Sequence, residues 1–117
     1  MKVYGIQADL LWEDKHANFA KIRTLLDNEK IQADSLIVLP ETFATGFSMN
    51  LKATTRNEPD QTESFLSDLA REKKCWVTAG LIEPNKTRNK GVNRSVTFSP
   101  SGERISSYAK THAASIY

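Results

Sequence analysis

The chain has 117 residues, of which 39% are apolar and 26% are charged, and Lys and Arg exceed Asp and Glu by 16 to 14. These values are ordinary for one soluble globular domain. The positive charges are scattered, which predicts no nucleic-acid partner. The longest apolar run, Leu36 to Leu39, is far shorter than the roughly 18 residues of a membrane span. The N-terminus lacks the apolar core of a signal peptide, so a cytoplasmic location is the default expectation.

Two strands flank a helix in the first third of the chain. Alternation predicts a strand over Val3 to Asp9, and helical spacing of apolar residues predicts a helix from Asp14, as N-cap, to about Lys30. The uninterrupted apolar run at 36 to 39 predicts a central strand covered on both faces, as in parallel or mixed sheets.

A second helix and three strands are predicted after a polar loop. The helix spans Asp60 to Lys74, and Asp60 with Glu63 has the form of a capping box. Strands follow at 76 to 82, 93 to 99 and 102 to 110, with a solvated connection over 84 to 91 and a hairpin turn at 100 to 102. The order βαβαβββ predicts a layered α/β domain that ends in a meander.

Glu41 is the first candidate for chemistry. It follows the apolar strand and Pro40, and it precedes a loop containing Gly46. The carboxyl ends of central strands are where α/β sheets bind ligands, and a carboxylate there can act as a general acid or base. A carboxylate that merely caps a turn or faces water is an equally good interpretation of this residue alone.

Three further residues could carry chemistry. Lys110 ends the last predicted strand, although lysines at strand ends usually face solvent. His112 has no carboxylate or cysteine beside it in sequence and is interpreted as a surface or packing residue. Cys75 is the single cysteine, so the chain cannot form an intrachain disulfide or a cluster of thiolates that binds a metal. A buried, inert thiol is its favoured interpretation.

The sequence resembles the N-terminal part of the nitrilase superfamily, the carbon–nitrogen hydrolases, and its omega-amidase branch most closely. The segments Leu39 to Phe43 and Thr45 to Met49 carry the branch likeness. Other matching segments are Gln7-Ala8-Asp9, Asn18, Ala79-Gly80, Asn93-Arg94-Ser95, Ser101-Gly102 and Tyr108 to His112. Each is weak alone, but their order and spacing extend over nearly the whole chain.

The resemblance implies an α/β fold, the N-terminal portion of an α-β-β-α sandwich, with a layered mixed sheet and helices on one face. It implies hydrolysis of a small linear amide by a Glu–Lys–Cys triad without a metal or cofactor. By motif, Glu41 would be the general base and acid, and Lys110 the cation beside the oxyanion. The implied partner is a small-molecule amide. Family members often form homodimers, which leaves a homodimer open here.

The likeness has one large departure. The family's nucleophilic cysteine follows the lysine, whereas Cys75 precedes Lys110 and matches a position without a catalytic role. Residues 1 to 117 are therefore expected to form a partial carbon–nitrogen hydrolase (nitrilase-like) domain, truncated before the nucleophile. Such a chain should be inactive and should expose apolar surface and sheet edge. Two alternatives stay open: a non-catalytic remnant, and a small α/β binding domain in which Glu41 and Lys110 are ordinary surface charges.

Overall fold

The structure is a computed structural model, and it describes residues 2–7, 14–40, 60–84 and 91–109. Within these ranges the chain forms five strands and two helices in the order βαβαβββ, as predicted. Their bounds are β1 Val3–Gly5, α1 Lys15–Asp27, β2 Leu36–Val38, α2 Asp60–Lys73, β3 Trp76–Pro84, β4 Gly91–Phe98 and β5 Arg104–Ala109.

One mixed sheet contains all five described strands in the order β1-β2-β3-β4-β5. The first three are parallel, with Val3 opposite Leu36 and Leu36 opposite Trp76. The β3–β4 and β4–β5 pairs are antiparallel. Strand β5 therefore runs in the same direction as β1, β2 and β3. The predicted meander is confirmed.

The first helix begins and ends through local hydrogen bonds. The Asp14 carboxylate accepts a hydrogen bond from the backbone N–H of Ala17 at 3.0 Å, which confirms its predicted role as N-cap. At the other end, the N–H of Asn28 still donates to the carbonyl of Thr24 at 3.1 Å. The buried stripe contains Phe19, Ile22 and Leu26, the apolar residues whose helical spacing predicts this helix.

The second helix ends in a Schellman motif. Lys74 has a φ of 54°, the left-handed conformation that such a cap requires. The N–H of Cys75 donates to the carbonyl of Ala70 at 3.1 Å, and that of Lys74 donates to Arg71 at 3.3 Å. These two bonds satisfy carbonyls that have no partner within the helix. They also direct Cys75 and the following strand under the helix.

Both helices pack on one face of the sheet. The core contains Phe65, Leu66, Leu69 and Ala70 from α2, the α1 stripe, and alternate residues of the strands; these are Ile37, Leu39, Val77, Ala79, Leu81, Val96 and Phe98. Phe19 and Phe65 join the helices, with stacked rings whose centroids are 4.3 Å apart. The expectation of helices on one face is confirmed for the described residues.

The opposite face carries no layer among the described residues. Its strand residues include Val38, Trp76, Thr78 and Ile82, each partly exposed. The sequence predicts that the apolar strand at 36 to 39 is covered on both faces, but the described elements cover one face only. The central position in the sheet is confirmed, because β2 lies between β1 and β3.

Several predicted boundaries were wrong. The predicted connection over 84 to 91 is too long, because Pro84 and Gly91 pair with each other as the ends of β3 and β4. Strand β5 begins at Arg104 rather than at Gly102. The Glu63 carboxylate accepts two hydrogen bonds from Arg104 Nη1, at 3.0 and 3.3 Å. It therefore links α2 to β5, a contact that the predicted capping box does not include.

Candidate active site

The strand directions bring the ends of β2 and β5 to the same end of the sheet. Pro40 is the last described residue after β2, and Ala109 is the last residue of β5. Because β5 runs parallel to β2 through two antiparallel pairings, both strands finish at this end. Glu41 and Lys110, the residues that follow them in sequence, lie outside the described residues.

The register gives the level at which each strand ends. Val38 pairs with Thr78, and the N–H of Leu39 donates to the carbonyl of Thr78 at 3.0 Å. Ala109 pairs with Arg94, which pairs in turn with Leu81. Three strand spacings separate β2 from β5, roughly 14 Å at about 4.8 Å each. Measured along the strand direction, β2 and β5 therefore end at similar levels, on either side of this gap.

Local chemistry explains why β2 stops where it does. Proline has no backbone N–H, so Pro40 cannot donate the next hydrogen bond to β1, the side on which Leu36 and Val38 form their backbone bonds. Leu39 immediately before it is buried, with 4% exposed, and its side chain anchors the strand in the helix-covered core.

Two polar residues of β4 lie at this end of the sheet. Arg94 Nη1 donates to the hydroxyl of Ser107 at 3.3 Å, which links β4 to β5. Asn93, the preceding residue, is only 8% exposed. The sequence shows both residues in the segment Asn93-Arg94-Ser95, but no periodicity or spacing marks them as site residues. Only the register brings them beside the end of β5.

Cys75 lies at the opposite end of the sheet. It immediately precedes β3 and is completely buried, which confirms the interpretation of a buried thiol. Its Sγ–H donates to the carbonyls of Gln32 and Lys73, at 3.2 and 3.3 Å. The distance along β3 from Cys75 to Leu81, at the candidate site, is roughly 20 Å at about 3.3 Å per residue. Cys75 therefore cannot attack a substrate held at the carboxyl ends of the strands.

Other candidates are not placed. His112, like Glu41 and Lys110, lies outside the described residues. No helix among the described residues has the length and apolar character needed to cross a membrane. The described residues also contain no group of three or more His, Cys, Asp or Glu side chains arranged to hold a metal ion.

In a mixed sheet with helices on one face, the end at which the parallel strands finish is where α/β folds bind ligands. A comparison with solved structures finds the same fold. Nit3 of Saccharomyces cerevisiae, described as a member of branch 10 of the nitrilase superfamily, superposes with a TM-score of 0.80 at 27% identity. The match covers 96% of this chain and 44% of that one.

Residues 3–116 match the carbon–nitrogen hydrolase family, and the chain therefore belongs to that family. It is 36% identical over 115 residues to the omega-amidase YafV of Yersinia enterocolitica, covering 96% of this chain and 41% of that protein. It is 37% identical over 82 residues to the 2-oxoglutaramate amidase of Paenarthrobacter nicotinovorans, covering 66% of this chain and 28% of that one. The chain thus spans less than half the length of these relatives.

Proposed function

We propose that this chain is the N-terminal part of an omega-amidase-like carbon–nitrogen hydrolase, which converts a small linear amide and water to a carboxylic acid and ammonia. The observation that carries the proposal is the shared end of β2 and β5, because β2 ends at Val38, three residues before Glu41, and β5 ends at Ala109, immediately before Lys110. The names of two relatives, omega-amidase and 2-oxoglutaramate amidase, support omega-amides of dicarboxylic or oxo-dicarboxylic acids as the substrate class.

The proposed roles follow from the chemistry of amide hydrolysis. Glu41 removes the proton from a cysteine thiol, which attacks the amide carbonyl, and Glu41 then gives a proton to the departing ammonia. The Lys110 ammonium stabilises the negative charge that develops on the carbonyl oxygen. Water, activated by the same glutamate, cleaves the thioester and regenerates the thiol.

The nucleophile of this scheme is not Cys75. That thiol is the only one in the 117 residues, and it is buried at the opposite end of the sheet. The proposal therefore assigns the attacking cysteine to a segment beyond these residues. The 117 residues by themselves supply the base and the cation.

The first test is an assay of the 117-residue chain itself. We expect no ammonia release above the uncatalysed rate from succinamate, the half-amide of a four-carbon diacid, because no accessible thiol can form the covalent intermediate. The proposal would be contradicted if the purified 117-residue chain released ammonia and the Glu41→Gln variant did not. The Cys75→Ser variant should behave like the unmodified chain.

A chimera tests the two proposed roles directly. Residues 1–112 of this chain would replace the corresponding segment of the Yersinia omega-amidase, whose remaining sequence completes the domain. We expect the chimera to release ammonia from succinamate, and Glu41→Gln and Lys110→Met each to lower kcat by at least about a hundredfold. Glu29→Gln, which changes an exposed glutamate between α1 and β2, is the matched control and should leave kcat unchanged. Full activity in Glu41→Gln would refute the assignment.

A further inference from the structure

The hairpin of β4 and β5 contains one more residue on β5 than its ladder pairs. Thr97 lies opposite Ser106, whereas the next residue of β4, Phe98, lies opposite Arg104. Ile105 is therefore the extra residue of a β-bulge. It is 52% exposed, although isoleucine is among the residues most often buried in folded proteins. The bulge thus keeps a large apolar residue in solvent.

A register without the bulge is available to the same residues. If the turn moved by one residue while Thr97 stayed opposite Ser106, Ile105 would lie opposite Phe98, which is buried in the core. Directly opposed residues share a face of the sheet, so Ile105 would turn from solvent toward the helix-covered face. Arg104 would turn to the other face, because successive strand residues alternate. Apolar burial favours this regular register.

Two contacts between α2 and the hairpin favour the bulged register instead. The Glu63 carboxylate, whose side chain is 18% exposed, accepts both bonds from Arg104 Nη1. Arg104 makes this contact from the helix-covered face, which it shares with Phe98 opposite. Ser67 Oγ also donates to the carbonyl of Gly102 in the turn. Hydrogen bonds to a charged group and the partial burial of an isoleucine contribute free energies of similar size, so a change at Glu63 is sufficient to reverse the balance.

We infer that the ion pair of Glu63 and Arg104 is a register lock, which holds the hairpin in the bulged register. Its loss lets the turn move by one residue, so that Ile105 turns toward the core and Arg104 turns to the opposite face of the sheet. The hairpin is then a two-state element whose states differ by one residue of register. The pairing of β5 from Ser106 to Ala109 is the same in both states. The inference therefore does not depend on the proposed function.

The exposure of position 105 distinguishes the two registers. Ile105→Cys in the Cys75→Ser background of the 117-residue chain carries a single thiol, and cysteine keeps the apolar character of the position. Mass spectrometry gives the rate of its alkylation by iodoacetamide. We expect Glu63→Ala to slow this labelling by at least about threefold, because losing hydrogen bonds to a charged group shifts the balance between registers by roughly tenfold. A contact that only stabilised the hairpin would not slow the labelling when removed, since loosening the hairpin exposes the thiol further.

Matched variants make the outcome decisive. Glu72→Ala removes another acidic residue of α2, one whose ion pair is with Arg23 of α1, and should leave the labelling rate unchanged. Arg104→Met breaks the lock from the strand and should slow labelling as Glu63→Ala does.

The inference is overturned if labelling is unchanged or faster in either lock variant with the native circular dichroism spectrum retained. If Glu63→Ala unfolds, Arg104→Met decides alone. Unfolding of both variants also overturns the inference, because the regular register is then not a stable alternative.

Discussion

At the scale of single residues, Gly102 shows how one position fixes the hairpin between β4 and β5. Its φ is +85°, and its N–H donates to the carbonyl of Ser99 at 2.8 Å. Its carbonyl accepts a hydrogen bond from Ser67 Oγ at 2.6 Å, which attaches the turn to α2. A Cβ at this position would lie 2.7 Å from Arg71 Nη1 and 2.9 Å from Ser67 Oγ. The turn needs glycine for both its conformation and its space.

We expect Gly102→Ala to lower the free energy of unfolding by about 1–3 kcal/mol, through left-handed strain and displacement of the α2 side chains. Urea unfolding followed by circular dichroism measures this change. Gly5→Ala is the matched control, since nothing lies within 4 Å of a Cβ built there. A Gly102→Ala protein as stable as Gly5→Ala would show that the turn tolerates a side chain.

The sequence predicts residue contacts well only where they are local. Asp14 and Ala17 are three positions apart, so helix geometry alone brings them together. The partner of Glu63 is Arg104, 41 residues away, and no local pattern identifies it. The sequence predicts a turn at Gly102, but not its contact with α2.

At the scale of elements, the end of α2 requires a left-handed backbone at a position where the sequence has no glycine to indicate it. Glycine is the usual residue at the left-handed position of a Schellman motif, yet Lys74 occupies it, with a φ of 54°. Asp34 is also left-handed, and its N–H donates to the carbonyl of Lys74 at 2.8 Å. This hydrogen bond between the two left-handed residues joins the segment that precedes β2 to the segment that precedes β3.

Because glycine adopts this conformation without steric cost, Lys74→Gly should raise the free energy of unfolding by about 0.5–1 kcal/mol. Glu72→Gly, two residues earlier within the helix, should lower it by about 1 kcal/mol. Urea midpoints of the two variants measure both effects. Equal destabilisation by both substitutions would mean that the Lys74 side chain contributes more than the strain costs.

At the scale of the whole molecule, the core joins both helices to the sheet, and Cys75 reports on its integrity. The thiol is completely buried between α2 and β3. No other cysteine is present in the sequence, so all thiol chemistry of the chain is that of this residue. Reaction with a reagent in solution requires the structure around this thiol to open.

We therefore expect alkylation of Cys75 by iodoacetamide to be at least about a thousandfold slower in the native protein than in 6 M guanidinium chloride. Mass spectrometry of quenched samples gives both rates. Gly102→Ala should accelerate the native reaction, because it lowers the free energy of opening. Labelling of native protein at the denatured rate would show that the core around α2 is not formed.

The sequence by itself determined the order of the elements, the buried faces of both helices and the family. Apolar periodicity and capping are local properties, and the motifs Leu39-Pro40-Glu41 and Tyr108 to Lys110 are contiguous. Only the tertiary structure decided that β2 and β5 finish at one end of the sheet and that Cys75 lies at the other. It also decided that Asn93 is buried next to the end of β5. Strand order and register join residues that are far apart in sequence, so no local pattern contains these relationships.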